Sequence, residues 1–184
     1  MAKEALVILA EGFEEIETAS IVDILRRAEI DVTLAGLEAG PLTGSRGMKV
    51  VPDCRLEDYD RLPDAVILPG GSEGARNLSK SERVADILKK ADSENRIVAA
   101  ICASPAVVLA PLSLLDGRKA TCYPGLEEQF SPETQAVEEP AVSHGNLITG
   151  QGPGTALAFS LALVRALVGE ETADRVAEEL LYRK

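Results

Sequence analysis

Basic side chains are scarce in this chain: 19 lysines and arginines stand against 30 acids, a net charge of −11. That field repels phosphate backbones and anionic lipid surfaces, which argues against nucleic-acid or membrane partners. Small neutral or electrophilic substrates stay open. No apolar run reaches the roughly 18–20 residues that cross a bilayer. The leading Met-Ala-Lys-Glu runs into a strand-like stretch without the layout of a secretory signal, so the expected location is the cytosol. The three cysteines, Cys54, Cys102 and Cys122, are odd in number and widely spaced. A disulfide framework or a metal site is not expected, and reduced thiols are. The one histidine, His144, falls in Ser143-His-Gly-Asn146, which reads as a surface turn. A Cys–His dyad is therefore not expected. Low-complexity tracts are absent too, and 184 residues suit one domain over 1–184.

What the chain does have is alternation. Residues 5–10, Ala-Leu-Val-Ile-Leu-Ala, are continuously apolar, the mark of a strand buried on both faces. Ile16 to Arg27 follows with helical spacing, then a strand over 31–35, a Gly/Pro-rich turn and a hairpin around Val50-Val51. A buried strand at 65–68 ends in Pro69-Gly70-Gly71. Further along come a helix over 81–91, a strand over 97–101, a helix from Pro105 to Leu115, and short strands near 119–122 and 146–149. Helices over 155–167 and 170–182 close the chain. Buried strands alternating with helices imply parallel pairing and right-handed crossovers: a three-layer, doubly wound α/β sandwich of flavodoxin-like type.

In such sheets function gathers at the carboxyl ends of the strands. The segments leaving those ends are 11–15 (Glu-Gly-Phe-Glu-Glu), 69–72 (Pro-Gly-Gly-Ser), 102–105 (Cys-Ala-Ser-Pro), 122–124 (Cys-Tyr-Pro) and 150–154 (Gly-Gln-Gly-Pro-Gly). Cys102 sits at an abrupt strand-to-helix change that Pro105 can open, the arrangement of a nucleophile elbow, where a helix N-terminus favours thiolate over thiol. A buried structural cysteine is the alternative. Gly70 and Gly71 either form a plain tight turn or let a backbone N–H approach an oxyanion. Glu14, Glu15 and Glu17 crowd the start of the first helix, where acids complement the dipole; Glu14 and Glu17 share a face, and Glu17 can turn inward toward the thiol. Arg46 reads as a solvated loop charge, and Cys54 and Cys122 as packing residues. The Gly-rich 150–154 segment comes too late, and is interrupted by Pro153, for a nucleotide loop.

Four stretches, in order and spacing, carry a family resemblance: 5–17 (Ala-Leu-Val-Ile-Leu-Ala-Glu-Gly-Phe-Glu-Glu-Ile-Glu), 68–71 (Leu-Pro-Gly-Gly), 99–105 (Ala-Ala-Ile-Cys-Ala-Ser-Pro) and 151–155 (Gln-Gly-Pro-Gly-Thr). The chain resembles, over nearly its whole length, the DJ-1/PfpI superfamily, in the branch of Parkinson disease protein 7. The resemblance implies a class I glutamine amidotransferase-like sandwich. It implies Cys102 as the nucleophilic, oxidation-sensitive cysteine, Glu17 as its hydrogen-bonding partner, and the N–H groups of Gly71 and Ala103 as oxyanion donors. Gly70, Glu14 and Tyr123 would line the pocket. Arg27, Ser45 and Arg46 resemble residues near a homodimer interface and the pocket. No metal or organic cofactor is implied. Three positions depart from relatives: Tyr123 stands where a histidine precedes the proline, Ala103 where the peptidase branch has a histidine, and Gln151 where an arginine often precedes Gly-Pro-Gly-Thr.

The activity this implies is that of a cofactor-independent glyoxalase acting on methylglyoxal or glyoxal, extending to early glycation adducts as a deglycase. The rival is an oxidation-sensing stress-response protein or redox-dependent chaperone without turnover; a cysteine hydrolase ranks below both. Two negative charges side by side repel, so one member of the Glu17–Cys102 pair must hold a proton. The expected arrangement is a protonated Glu17 with a raised pKa donating to a thiolate with a depressed one.

Overall fold

A computed structural model describes residues 2–183. Its centre is a seven-stranded sheet in the order β10-β11-β7-β6-β1-β2-β5. The strands are β1 (Glu4–Leu9), β2 (Asp31–Gly36), β5 (Cys54–Arg55), β6 (Ala65–Leu68), β7 (Ile97–Ile101), β10 (Ala141–His144) and β11 (Leu147–Gly150). All pairings are parallel except β10 with β11. Residues 5–9 of β1 and all of β6 are buried, as continuous apolar runs require when helices cover both faces. Helices α1 (Glu15–Arg27), α2 (Ser72–Ser79), α3 (Glu82–Ser93), α4 (Ala156–Val168) and α5 (Glu170–Glu179) provide that cover. The mostly parallel α/β sandwich read from the alternation is thus the fold observed.

The hairpin expected around Val50-Val51 is β3 (Leu42–Thr43) against β4 (Lys49–Val50). Four local readings need correction. Helix α2 follows Gly71 directly, where the sequence suggested only a turn. Residues 105–115 hold no α-helix: a π-helical segment, Pro105–Leu109, passes into a 3-10 turn, Ala110–Leu112. Pro111 has no N–H to donate and its ring would strike the carbonyl one turn back, so the register changes instead. The Ala110 N–H accordingly bonds Pro105 O. The short strand near 119–122 is β8 (Lys119–Ala120), paired with β9 (Gln135–Ala136) outside the main sheet. The last helix stops at Glu179.

Strand β10 also fixes His144. It pairs with Leu147 at the start of β11, whereas Gly150 at the other end pairs with Ile101, next to Cys102. Three residues of strand, about 10 Å, separate the two ends. His144 is exposed, as expected of a surface residue, and its Nδ1 accepts the Lys119 N–H at 2.8 Å.

Candidate active site

Cys102 is held in a left-handed backbone conformation, φ 65°, rare for a residue with a β-carbon. Both of its backbone groups are tied down: its N–H donates to Gly150 O at 3.0 Å, and its carbonyl accepts the Tyr123 N–H at 2.8 Å. One step on, the buried Ser104 hydroxyl donates to Pro69 O at 2.6 Å and locks the elbow to the end of β6. Strain maintained by surrounding bonds is characteristic of a functional turn. Cys102 is buried, 8 % exposed as a whole residue.

The opposite wall is the loop after β6. Gly71 has φ 90°, and a β-carbon on it would stand 2.2 Å from Gly12 O. A β-carbon on Gly70 would lie 2.5 Å from Cys102 Cβ, 2.8 Å from Glu17 Oε2 and 3.0 Å from Cys102 Sγ. Gly70 is therefore the point around which thiol and carboxyl converge, and any side chain there would fill the site. The loop after β1 zips onto this wall: Glu14 N–H donates to Gly70 O at 3.0 Å and Gly74 N–H to Gly12 O at 3.1 Å. The backbone N–H groups of Gly71 and Ala103 favour the ionised form of the Cys102 sulfur.

Glu17 sits on the first turn of α1 and is completely buried. Its Oε2 accepts the Gly70 N–H at 2.6 Å. Its Oε1 is buried with no partner at hydrogen-bonding geometry among the described residues, while the thiol lies in direct electrostatic contact with the carboxyl. Burial pushes the Glu17 carboxyl up to about 7, against the Gly70 N–H, with the nearby Glu14 charge adding to the rise. Burial likewise pushes the Cys102 thiol up to about 12, and the Glu17 charge pushes the same way; the Gly71 and Ala103 N–H groups oppose both. The expectation of a depressed thiol pKa is thus corrected for the state with Glu17 ionised. A five-residue π segment supplies little of the dipole that an α-helix would, and the charge beside the sulfur outweighs it. The value near 12 belongs to a doubly charged pocket. Between the two titrations the pair as a whole holds one proton.

The remaining candidates separate. Glu14 caps α1, its Oε2 accepting the Glu17 N–H at 2.7 Å, and so aims Glu17 inward. Tyr123 packs its ring against Gly152, where a β-carbon would come within 3.3 Å. Ser45 and Arg46 lie in the β3–β4 turn. Arg27 pairs with Asp23 at 2.7 Å on the exposed face of α1. Cys122 is buried, its thiol pushed up to about 12 by burial, and Cys54 is likewise pushed up by burial. Glu15 is the residue that sequence reasoning passed over. Its carboxylate accepts from the Arg46 N–H at 2.5 Å, Ser45 Oγ at 3.1 Å and the Met48 N–H at 3.4 Å, clamping the hairpin to α1. The available signal was its i, i+1 offset from Glu14, which sends it to a different side of the helix. No group of three or more His, Cys, Asp or Glu among the described residues is placed to hold a metal ion.

Sheet order and elbow define an α/β protein with a cysteine at the carboxyl edge of the central strands. Residues 3–166 match the model of the DJ-1/PfpI family, and the chain belongs to that family. It is 42% identical to Drosophila melanogaster protein dj-1beta over 185 residues, covering 98% of each. It is 38% identical to Arabidopsis thaliana protein DJ-1 homolog A over 98% of this chain but 47% of that protein, so it spans about half the length of the plant relative. A Caenorhabditis elegans relative described as glutathione-independent glyoxalase DJR-1.2 is 31% identical over 99% of this chain and 98% of its own. Among solved structures, Drosophila DJ-1beta superposes with a TM-score of 0.93 at 40% identity, covering all of both chains. Toxoplasma gondii DJ-1 in an oxidized form gives 0.94 at 36%, again over all of both. No helix among the described residues is long and apolar enough to cross a membrane.

Proposed function

We propose that the protein is a cofactor-independent glyoxalase that converts methylglyoxal or glyoxal to the 2-hydroxy acid and extends to early glycation adducts as a deglycase. One observation carries this reading: a fully buried carboxyl, one oxygen unpaired, converges at Gly70 with the sulfur of a strained cysteine whose ionised form two backbone N–H groups favour. The glyoxalase name of the C. elegans relative supports it.

The sequence of events balances without an external redox partner. The Glu17–Cys102 pair delivers the sulfur as thiolate with Glu17 protonated, and the sulfur adds to the aldehyde carbon. The new oxyanion takes the Gly71 and Ala103 N–H groups, each such donor typically worth about 3–4 kcal/mol, then accepts the proton held by Glu17 to give a hemithioacetal. Glu17, now ionised and dry, removes the hydrogen on that carbon and returns it to the neighbouring carbonyl carbon through an enediol. The aldehyde carbon is thereby oxidised to a thioester while its neighbour is reduced to an alcohol. Water hydrolyses the thioester, releasing the 2-hydroxy acid and the thiol. A carboxyl with a pKa near 7 is suited to this two-way transfer. The test is lactate formation from methylglyoxal without glutathione: turnover by wild type that disappears in Cys102→Ser and in Glu17→Gln is expected. Absence of turnover in wild type defeats the proposal.

A second reading has its own support. The same pocket would stabilise a sulfinate through the Gly71 and Ala103 N–H groups, with the protonated Glu17 donating to one of its oxygens. The protein would then be an oxidation sensor or redox-dependent chaperone. Two added oxygens on Cys102 alone after mild peroxide, in protein that leaves methylglyoxal untouched, select this reading. On either reading the chain works in the cytosol, without disulfides, and as a homodimer. Ile16, Met48 and Val51 are exposed around the hairpin that Glu15 fixes to α1, with Ser45 and Arg46 in the same turn and Arg27 on the same helix. Sedimentation as a monomer at micromolar concentration would dismiss the dimer.

A further inference from the structure

A cleft of about 320 Å³ opens beside the elbow. Cys122 and Pro124, which flank Tyr123, form one wall, and Gln151 forms another. Tyr123 N–H holds the Cys102 carbonyl and Gly150 O holds the Cys102 N–H, so both walls begin one residue from groups bonded to the nucleophile. Ala120, Phe130, Ala136 and Val137 supply apolar lining. Its charged lining residues are both acids, Glu127 and Glu138. The Gly125 N–H fixes Glu127 at 2.6 Å, whereas Glu138 is exposed and has no ion-pair partner among the described residues.

An apolar trough with carboxylates and no compensating base complements a flexible aliphatic chain ending in a cation, the form of a lysine or arginine side chain. A purely apolar ligand would leave the acids unanswered, and an anion would be repelled. We infer that this cleft is a subsite for the alkyl-cation arm of a basic residue, one that neighbours an aldehyde adduct presented to Cys102. The substrate class so defined is adducts on basic peptides. The adduct part of this inference rests on the proposed activity; the affinity of the cleft for an alkyl cation does not.

The full chain is titrated with agmatine, a butyl chain with a guanidinium at one end and an ammonium at the other, and with the uncharged pentylurea, at fixed ionic strength, while amide signals are followed by NMR. Agmatine is expected to move the signals of Cys122, Val137 and Gln151 saturably and to bind more tightly than pentylurea. Glu138→Lys should weaken agmatine about fivefold. Glu178→Lys, which makes the same change in net charge on exposed α5, should weaken it by less than about twofold. Equal affinity for the two ligands, equal effects of the two substitutions, or cleft signals that stay put each overturn the inference. In turnover, the methylglyoxal adduct of a Lys-Arg dipeptide should show a higher kcat/KM than that of Lys-Ala, with Glu138→Lys closing the gap. Equal values in wild type refute the subsite. If neither adduct nor free methylglyoxal is consumed, the activity fails while the agmatine titration still decides the cleft.

Discussion

Replacing Glu17 by glutamine isolates the cost of the buried charge. The carboxyl titrates near 7 in the folded protein against an ordinary value of 4.5. A pKa raised by folding means the folded state binds the extra proton between these two values, so stability falls as pH climbs through that window and levels off above it. At about 1.4 kcal/mol per pH unit the loss comes to roughly 3–4 kcal/mol, and the macroscopic proton belongs to the pair, so the figure holds whichever atom carries it. Glutamine keeps an oxygen for the Gly70 N–H, fills the same space and never ionises. Urea unfolding of wild type and Glu17→Gln across about pH 4.5 to 8 should give matching stabilities at the acid end. The variant should gain by up to roughly 3–4 kcal/mol, an upper figure, by pH 8. Lowered carboxyls elsewhere, such as Glu15 and Asp64, contribute the opposite slope to both proteins and cancel in the difference. A difference that stays flat within about 0.5 kcal/mol refutes the claim that folding stores a carboxylate in a hostile site.

Three further outcomes follow from the same geometry. Gly70→Ala drives a methyl to within 2.5 Å of Cys102 Cβ, so it should cost about 1–3 kcal/mol from overpacking and cut methylglyoxal turnover about 100-fold, read by urea unfolding and lactate assay. Ser104→Ala leaves Pro69 O without its donor in the interior, which should cost about 1–3 kcal/mol and lower Tm by several degrees in calorimetry. Glu15→Ala removes the acceptor for two N–H groups and a hydroxyl, so hydrogen exchange at the Arg46 and Met48 amides should accelerate at least tenfold, about 1.4 kcal/mol of local opening, with exchange in β1 and β6 unchanged.

How much of this was legible in the sequence depends on the range of the interaction. Parallel strands such as 5–9 and 65–68 announce themselves because burial on both faces leaves an unbroken apolar run. The elbow at Cys102 is equally local, since a strand ending in a small-residue turn before proline has few conformations. Helix α2 escaped notice because its first residues, Ser72-Glu-Gly-Ala75, are too short and too polar for a periodicity to show, and the helix exists by packing Ala75 and Leu78 inward. The π segment after Cys102 is invisible for another reason: it results from Pro105 and Pro111 competing for register, which no propensity records. Glu15 and Glu17 are both first-turn acids, offset to different sides of the helix. Their different fates are set by loops about 30 and 53 residues away.

The electrostatics of the pocket show why identity at single positions says so little about state. The Gly71 and Ala103 N–H groups favour the thiolate, yet the α-helix expected behind Cys102 is absent, and with Glu17 ionised the sulfur is a weaker acid than a free cysteine. The reactive species exists only while Glu17 carries the proton, so Glu17 is as much a switch on the nucleophile as a proton shuttle. Substitution by glutamine should then lower the Cys102 pKa by removing the charge beside it, and the thiolate absorbance should appear at lower pH than in wild type, even as turnover is lost for want of a base. A thiol that becomes harder to ionise in Glu17→Gln would mean that the carboxyl stabilises the thiolate through hydrogen bonding more than it repels it through charge, and the order of proton transfers given above would have to be reversed.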